Sequence, residues 1–254
     1  MSQDINPILN DWEFDPKQNV RKIWGDDGTQ KLQVRIEQGG FAGILQMDLE
    51  GRPDGKQPYG FDFVLDYYQD ALRNYRKKHG TADGFALDQK ACAELFDESF
   101  RIYNRYVFLL QIGDYGLVIR DTERNMRVFR FVHAFAKRDE DRAYLERWWP
   151  YILRIRAISY AMIALKDSKH AEALEVLDKA RQQIRDLPEV EAEEFRIERD
   201  RSERSLAELQ EQIKKRKPLS REERLERRLD RLVKMEAYER AAEIRDELKR
   251  LRDD

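Results

Sequence analysis

Apolar and polar positions alternate with period two near the start of the chain. Leu32, Val34 and Ile36 alternate with Gln33, Arg35 and Glu37, and Leu45, Met47 and Leu49 with Gln46 and Asp48. That period predicts strands with one face buried and one wet. Val20 to Trp24 reads as an earlier strand, with turns at Gly25–Gly28 and Gly39-Gly40. Residues 19–49 are therefore expected to form a three-stranded antiparallel meander, followed by a stiff loop from Gly51 to Gly60. Three strands do not make a core alone, so the next helices should cover the inner face.

Beyond residue 60 the period changes to that of a helix. Phe61, Val64, Leu65, Tyr68, Leu72 and Tyr75 form a stripe over 61–78, closed by His79-Gly80 as a C-cap. Asp88 is positioned to cap a second helix reaching about Ile112, and a third should cover 116–136 after a turn at Gly113-Asp114-Tyr115. Turn residues follow near 138–141. A helix over 141–166 contains Pro150, which should kink or split it. A further helix should run from His170 to about Asp186, and Pro188 suits the first turn of another. All 12 glycines lie at or before Gly116, so no strand is expected after that point.

From Glu189 to Lys217 charge dominates, and Phe195, Leu206, Leu209 and Ile213 are sparse apolar positions that hint at a short coiled-coil seam. As one helix this segment would reach roughly 45 Å, an arm between the body and the C-terminus. Pro218 interrupts it. Ser220 with Glu223 makes a capping box for a new helix bearing Leu225, Leu229 and Leu232, and Tyr238, Ala241, Ala242, Arg245 and Leu248 repeat at helical spacing behind it. A helical hairpin is the expected product, too small to fold well alone and in need of something to cover its apolar edge.

The stretch Tyr238-Glu239-x-Ala241-Ala242-x-x-Arg245-Asp246-x-Leu248 resembles the UVR motif of bacterial proteins, found in UvrB and UvrC of excision repair and in Clp ATPases and their McsA-type adaptors. The resemblance implies a docking element without chemistry of its own. It makes Leu229, Leu232, Tyr238, Ala241, Ala242, Arg245, Asp246 and Leu248 the candidate partner-binding residues, with a Clp-type ATPase, an excision-repair subunit or a second copy as partner. A second, weaker resemblance is to tetratricopeptide (TPR) repeats over residues 89–187. It rests on Ala161, Ala173 and Ala180 and on Gly113-Asp114-Tyr115, although roughly 55 residues separate Tyr115 from His170 where the repeat has 34.

Composition narrows the classes. Lys+Arg 48 against Asp+Glu 50 gives a net charge of −2, without the basic excess of a dedicated nucleic-acid binder, so duplex binding should be weak or absent. Charged residues are 39% with mixed signs, as in long solvated helices. Lys214, Lys215, Arg216 and Lys217 form a basic run that could grip phosphates, but interleaved Glu222, Glu223, Glu226 and Asp230 favour a solvated face. The single Cys92 excludes an internal disulfide and reads as a small buried residue. No signal-peptide pattern and no long apolar run is seen, which fits a cytoplasmic protein.

Phosphate-binding glycine loops, nucleophile elbows and His or Cys metal spacings are absent, and His79, His133 and His170 share no motif. No catalytic residue, metal site or cofactor is expected. Arg120, Asp121, Arg124, Arg127 and Arg130 could line an anion groove, with surface ion pairing the plainer account. Trp148-Trp149 could be a hot spot, with core packing the plainer account.

The expected fold is mostly α. It comprises a β-meander over 1–60, a TPR-like helical domain over 61–187, a charged arm over 188–217 and a UVR-like hairpin over 218–254. The expected function is that of a non-enzymatic adaptor. A repair-linked nucleic-acid factor and an enzyme sited beside the Gly51–Gly60 loop are the rivals.

Overall fold

A computed structural model describes residues 4–216 and, in the C-terminal segment, residues 225, 228, 229, 244, 245 and 247–249. The element order is α1 (Asn6–Asn10), β1 (Val20–Trp24), β2 (Gln30–Gln38), β3 (Phe41–Asp48), α2 (Val64–His79), α3 (Gln89–Gln111), α4 (Tyr115–Phe135), α5 (Asp139–Glu146), α6 (Trp149–Lys166), α7 (His170–Arg185) and α8 (Glu193–Arg216). The chain is mostly helical with a small N-terminal antiparallel sheet, as the periodicity predicts. It divides into two compact units, Met1–Glu208 and Leu209–Asp254.

The sheet has the order β1-β2-β3 with both pairings antiparallel. Gly39 and Gly40 both take positive φ, 58° and 84°, the backbone that a two-residue turn between β2 and β3 requires. Leu32 and Val34 of β2 and Leu49 bury against Ile102, Tyr106 and Leu109 of α3 and Val118 of α4. The inner face is thus covered by helices, as expected.

The outer face departs from the expectation of a wet surface. Lys31, Gln33 and Arg35 are also buried. A polar ladder crosses the strands, with Arg21 Nε donating to Gln33 Oε1 (2.9 Å) and Gln33 Nε2 to Gln46 Oε1 (2.8 Å). Arg35 donates to the Trp12 carbonyl, and the Arg21 guanidinium lies 4.1 Å over the Trp12 ring. Trp12, before the sheet, lies against this face, and the polar side chains of β2 find partners on β1, on β3 and at the Trp12 carbonyl. Leu45, expected inside, is 51% exposed because the helical layer does not reach the β3 edge.

Helix ends follow local chemistry. Asp88 Oδ1 caps α3 through Ala91 N (2.8 Å), and Gly80 ends α2 in the left-handed conformation beside the basic last turn Arg76–His79. Pro150 splits the region expected as one helix: α5 ends at Glu146 and α6 restarts with Pro150 in its first turn. α6 is apolar on most sides because it is wedged between α4 and α7, and small residues Ala161, Ala164, Ala173 and Ala180 are buried along the α6–α7 pair.

Two expectations change around α8. Pro188 does not open it; α8 begins at Glu193, and the intervening segment is pulled back by Glu189, which pairs with Arg196 and Arg199. Nor is the first part of the charged segment a free arm. Phe195 and Leu206 are buried, Ser202 Oγ donates to the Pro150 carbonyl (3.0 Å), and Arg154–Glu198 and Arg181–Glu203 link α8 to α6 and α7. Among residues 117–216 no strand forms, and a single isolated bridge joins Ala136 to Leu87. Among the described residues no helix is long and apolar enough to cross a membrane.

Candidate functional site

The C-terminal unit is held by a small apolar contact. Leu225, Ile244 and Leu248 are buried together, and half-buried Leu229 packs against them. Leu225 and Leu229 are one helical turn apart, and so are Ile244 and Leu248. Two helical faces therefore meet, as a hairpin requires. Leu248 belongs to this buried contact, while Arg245 lies exposed one position after Ile244. Leu232, Tyr238, Ala241, Ala242 and Asp246 fall outside the described residues, as does Lys217. Lys214 and Lys215 are exposed on α8, and Lys214 pairs with Glu211 on its own helix (2.9 Å).

In the body, charge is concentrated around the Gly51–Gly60 loop. The Arg105 side chain is 1% exposed. Its Nε and Nη2 grip both oxygens of Asp121, also 1% exposed, at 2.7 and 2.8 Å. Its Nη1 donates to the carbonyls of Asp48 (2.9 Å) and Gly51 (2.8 Å). Arg120 adds a hydrogen bond to Asp121 and another to the Leu49 carbonyl. Of the stretch considered as an anion groove, Arg120, Asp121 and Arg124 are engaged by internal partners, and Arg127 and Arg130 are exposed. Asp121 is consumed internally, and Arg124 lies over the Phe63 ring at 3.4 Å and pairs with Asp66.

Glu98 is fully buried and accepts from Val64 N (2.6 Å) and Leu65 N (3.2 Å), so a carboxylate on α3 caps α2, which has no side-chain cap of its own. Burial pushes its carboxyl above the usual glutamate value, outweighing those hydrogen bonds and Arg52 nearby. Arg52 pairs with Asp54 (2.8 Å); burial is the largest single influence on the Asp54 carboxyl and raises it, but the Arg52 hydrogen bond, the Lys56 amide and the charges of Arg52 and Arg101 together hold it below the ordinary value.

Tyr59 takes φ 57°, unusual for a ring-bearing residue. It is held there by Glu94, which accepts from its hydroxyl (2.8 Å), and by stacking on Tyr67 (4.1 Å). Burial, then Glu94, raises the Tyr68 hydroxyl beyond the ordinary range. Arg52 and Asp54 partner each other, and Arg52 also reaches Asp97 and Glu98 on α3, so these contacts pin the loop to the helix.

A concavity of about 420 Å³ opens between α3 and α6, beside α4. Phe96, Phe100, Tyr103, Tyr144, Trp148 and Tyr151 supply its aromatic walls. Trp148 sits at the rim, 37% exposed, whereas Trp149 packs edge-on against Phe129 (5.3 Å). The two tryptophans thus divide, one at the rim of the cleft and one half-buried against α4. At the floor Asn125 donates from Nδ2 to the Ser99 carbonyl while its Oδ1 has no protein partner.

Glu98 and Arg105 were not singled out in the sequence, although a signal existed. They interrupt the apolar run Leu95, Ile102, Leu109 at helical spacing, where a charge must be buried or the face broken. Among the described residues no group of three or more His, Cys, Asp or Glu side chains could hold a metal ion.

Comparison with known proteins agrees with the geometry of the second unit. Residues 223–254 match the family model described as the UvrB/uvrC motif. No curated protein and no solved structure matches the chain.

Proposed function

We propose that this chain is a non-enzymatic interaction protein that docks through its C-terminal hairpin. The observation that carries the reading is the packing of Leu225 and Leu229 on Ile244 and Leu248 inside the segment that matches the UvrB/uvrC motif. A hairpin of this size buries too little surface to fold well alone, and its remaining apolar edge gains by being covered. Leu232, Tyr238, Ala241 and Ala242 would form that edge. Arg245 and Asp246 would orient the partner by charge, with Leu229 and Leu248 supporting the surface from within. A Clp-type ATPase or an excision-repair subunit is the partner class that the motif suggests. The TPR-like reading of the body belongs to the same proposal, as a further interaction surface.

The test is Ala242→Glu in the full chain, which places an unpaired charge in the contact at a cost of several kcal/mol if buried, on the order given for such groups. Circular dichroism should remain helical, while capture of an identified partner by the wild-type chain, checked by mass spectrometry, should be lost. Unfolding of the whole protein would make the hairpin part of the core, and unchanged capture would remove it as the docking surface. Submicromolar duplex DNA binding at about 150 mM salt, abolished by replacing Lys214–Lys217 with alanine, would favour the nucleic-acid reading instead.

A further inference from the structure

The free edge of the sheet is built differently from the other one. β1 carries Arg21 and Lys22 at its centre, the kind of charged residue that keeps an open edge from pairing. β3 reads Phe-Ala-Gly-Ile-Leu-Gln-Met-Asp and has no charge before its last residue. The alternation of an antiparallel ladder fixes which of its groups are used. Arg35 N donates toward β1, so Leu32, Val34, Ile36 and Gln38 pair with Met47, Leu45, Gly43 and Phe41 on the other side. Ala42, Ile44 and Gln46 therefore direct their N–H and C=O away from β2, and no described residue bonds to them there. Only Asp48 is occupied by the chain itself, donating to the Pro53 carbonyl (2.9 Å).

Two further observations lie on the inner face of this strand. Phe41 is 81% and Leu45 is 51% exposed. Gly43 lies between them with ordinary negative φ, and a Cβ placed on it would meet nothing within 4 Å. Neither backbone conformation nor packing within the chain asks for glycine at that position. A glycine inside a strand otherwise marks a place where another chain approaches closely.

We propose that β3 pairs antiparallel with β3 of a second copy about a two-fold axis through Ile44, joining two three-stranded sheets into one of six strands. In this register Ala42 faces Gln46 of the second copy, and Ile44 faces its equivalent. About six backbone hydrogen bonds form, two at each hydrogen-bonded pair. A two-fold axis normal to the sheet keeps both inner faces on one side, so Leu45 leans over Gly43 of the second copy and Phe41 meets Met47. The exposed apolar side chains become covered. Asp48, the one charge on the strand, falls opposite Gly40 of the second copy rather than opposite its own equivalent, so no like charges meet. A second copy suits this edge because the strand is complementary to itself, in side-chain size and in the absence of charge.

Sedimentation velocity on the full chain tests this, from about 1 to 100 μM, where interfaces of ordinary quality associate. The wild type should show a concentration-dependent monomer–dimer equilibrium. Ile44→Pro should leave the monomer sheet intact, because that N–H points away from β2 and proline is tolerated on such edges. It should weaken the dimer at least tenfold, and so should Leu45→Lys at an already exposed position.

Ala242→Glu should leave this dimer unchanged, which separates it from association through the C-terminal hairpin. Amide exchange at Ala42, Ile44 and Gln46 should slow with rising concentration in the wild type only. A monomer at all concentrations would overturn the proposal. So would a dimer that survives Ile44→Pro and Leu45→Lys with unchanged melting curves, or one lost in Ala242→Glu alone.

Discussion

Replacing Arg105 with methionine is the most decisive perturbation of the body. Methionine keeps the length and apolar stem of the side chain but removes four hydrogen bonds, two to Asp121 and one each to the carbonyls of Asp48 and Gly51. Asp121 would keep only the 3.0 Å bond from Arg120 and remain almost fully buried. Stripping one partner from a buried pair costs about 3–5 kcal/mol, because the remaining charge is desolvated without compensation. For a chain of this size that corresponds to a fall in Tm of about 10 °C, at about 2–4 °C per kcal/mol.

Arg105→Met with Asp121→Leu should recover part of the loss, since removing both charges removes the orphan. Recovery would remain incomplete because the two loop carbonyls stay without their donor. Thermal and urea melts of the two single variants and the double variant give the coupling, and hydrogen exchange around residues 48–60 reads the loosened loop. A loss below about 1 kcal/mol in Arg105→Met, or strict additivity in the double variant, would refute the view that this pair pins the loop.

Two other outcomes follow from buried groups. Glu98 has its carboxyl raised by burial, so between the ordinary value near 4.5 and its native value the folded chain holds the proton more tightly than the unfolded one. Its contribution to stability therefore falls as pH rises through that window. Glu98→Gln loses an acceptor for α2 and should destabilise by about 1–3 kcal/mol. That deficit should shrink from pH 4.5 upward; a deficit that grows with pH in urea melts would mean that the backbone hydrogen bonds and Arg52 dominate. Cys92 is fully buried, and burial pushes its thiol up to about 11. A disulfide reagent at pH 8 should modify it only through opening of the fold, with a rate that climbs on adding urea; modification at the rate of a free thiol would place Cys92 at the surface.

Much of the architecture was legible along the chain. Period-two alternation marked the strands, glycine marked the turns, and Asp88, Gly80 and Pro150 marked where helices start, stop and split. Each of these is a local effect: a backbone angle that only glycine adopts easily, a side chain three residues from the amide it caps, or a missing N–H. The apolar spacing of Leu225, Leu229 and Leu248 was equally local, and the match to the UvrB/uvrC motif rests on that same segment.

What tertiary structure decided concerns partners far apart in sequence. Glu98 looks like any helical glutamate until α2 arrives with two uncapped amides, 33 and 34 residues away. Arg105 becomes interior only because Asp121 and the carbonyls of Asp48 and Gly51 converge on it. Lys31, Gln33 and Arg35 occupy positions that alternation assigns to water, yet burial is tolerated because Asp48, Gln46 and Trp12 supply their hydrogen bonds. Residues 193–208 read as a solvated arm because charge outnumbers apolar residues there. Of the few apolar ones, Phe195 and Leu206 are buried, and Glu198 and Glu203 find opposite charges on α6 and α7. Sequence pattern sets where a chain turns and which face is greasy; whether a polar group can be buried depends on what the fold brings to meet it.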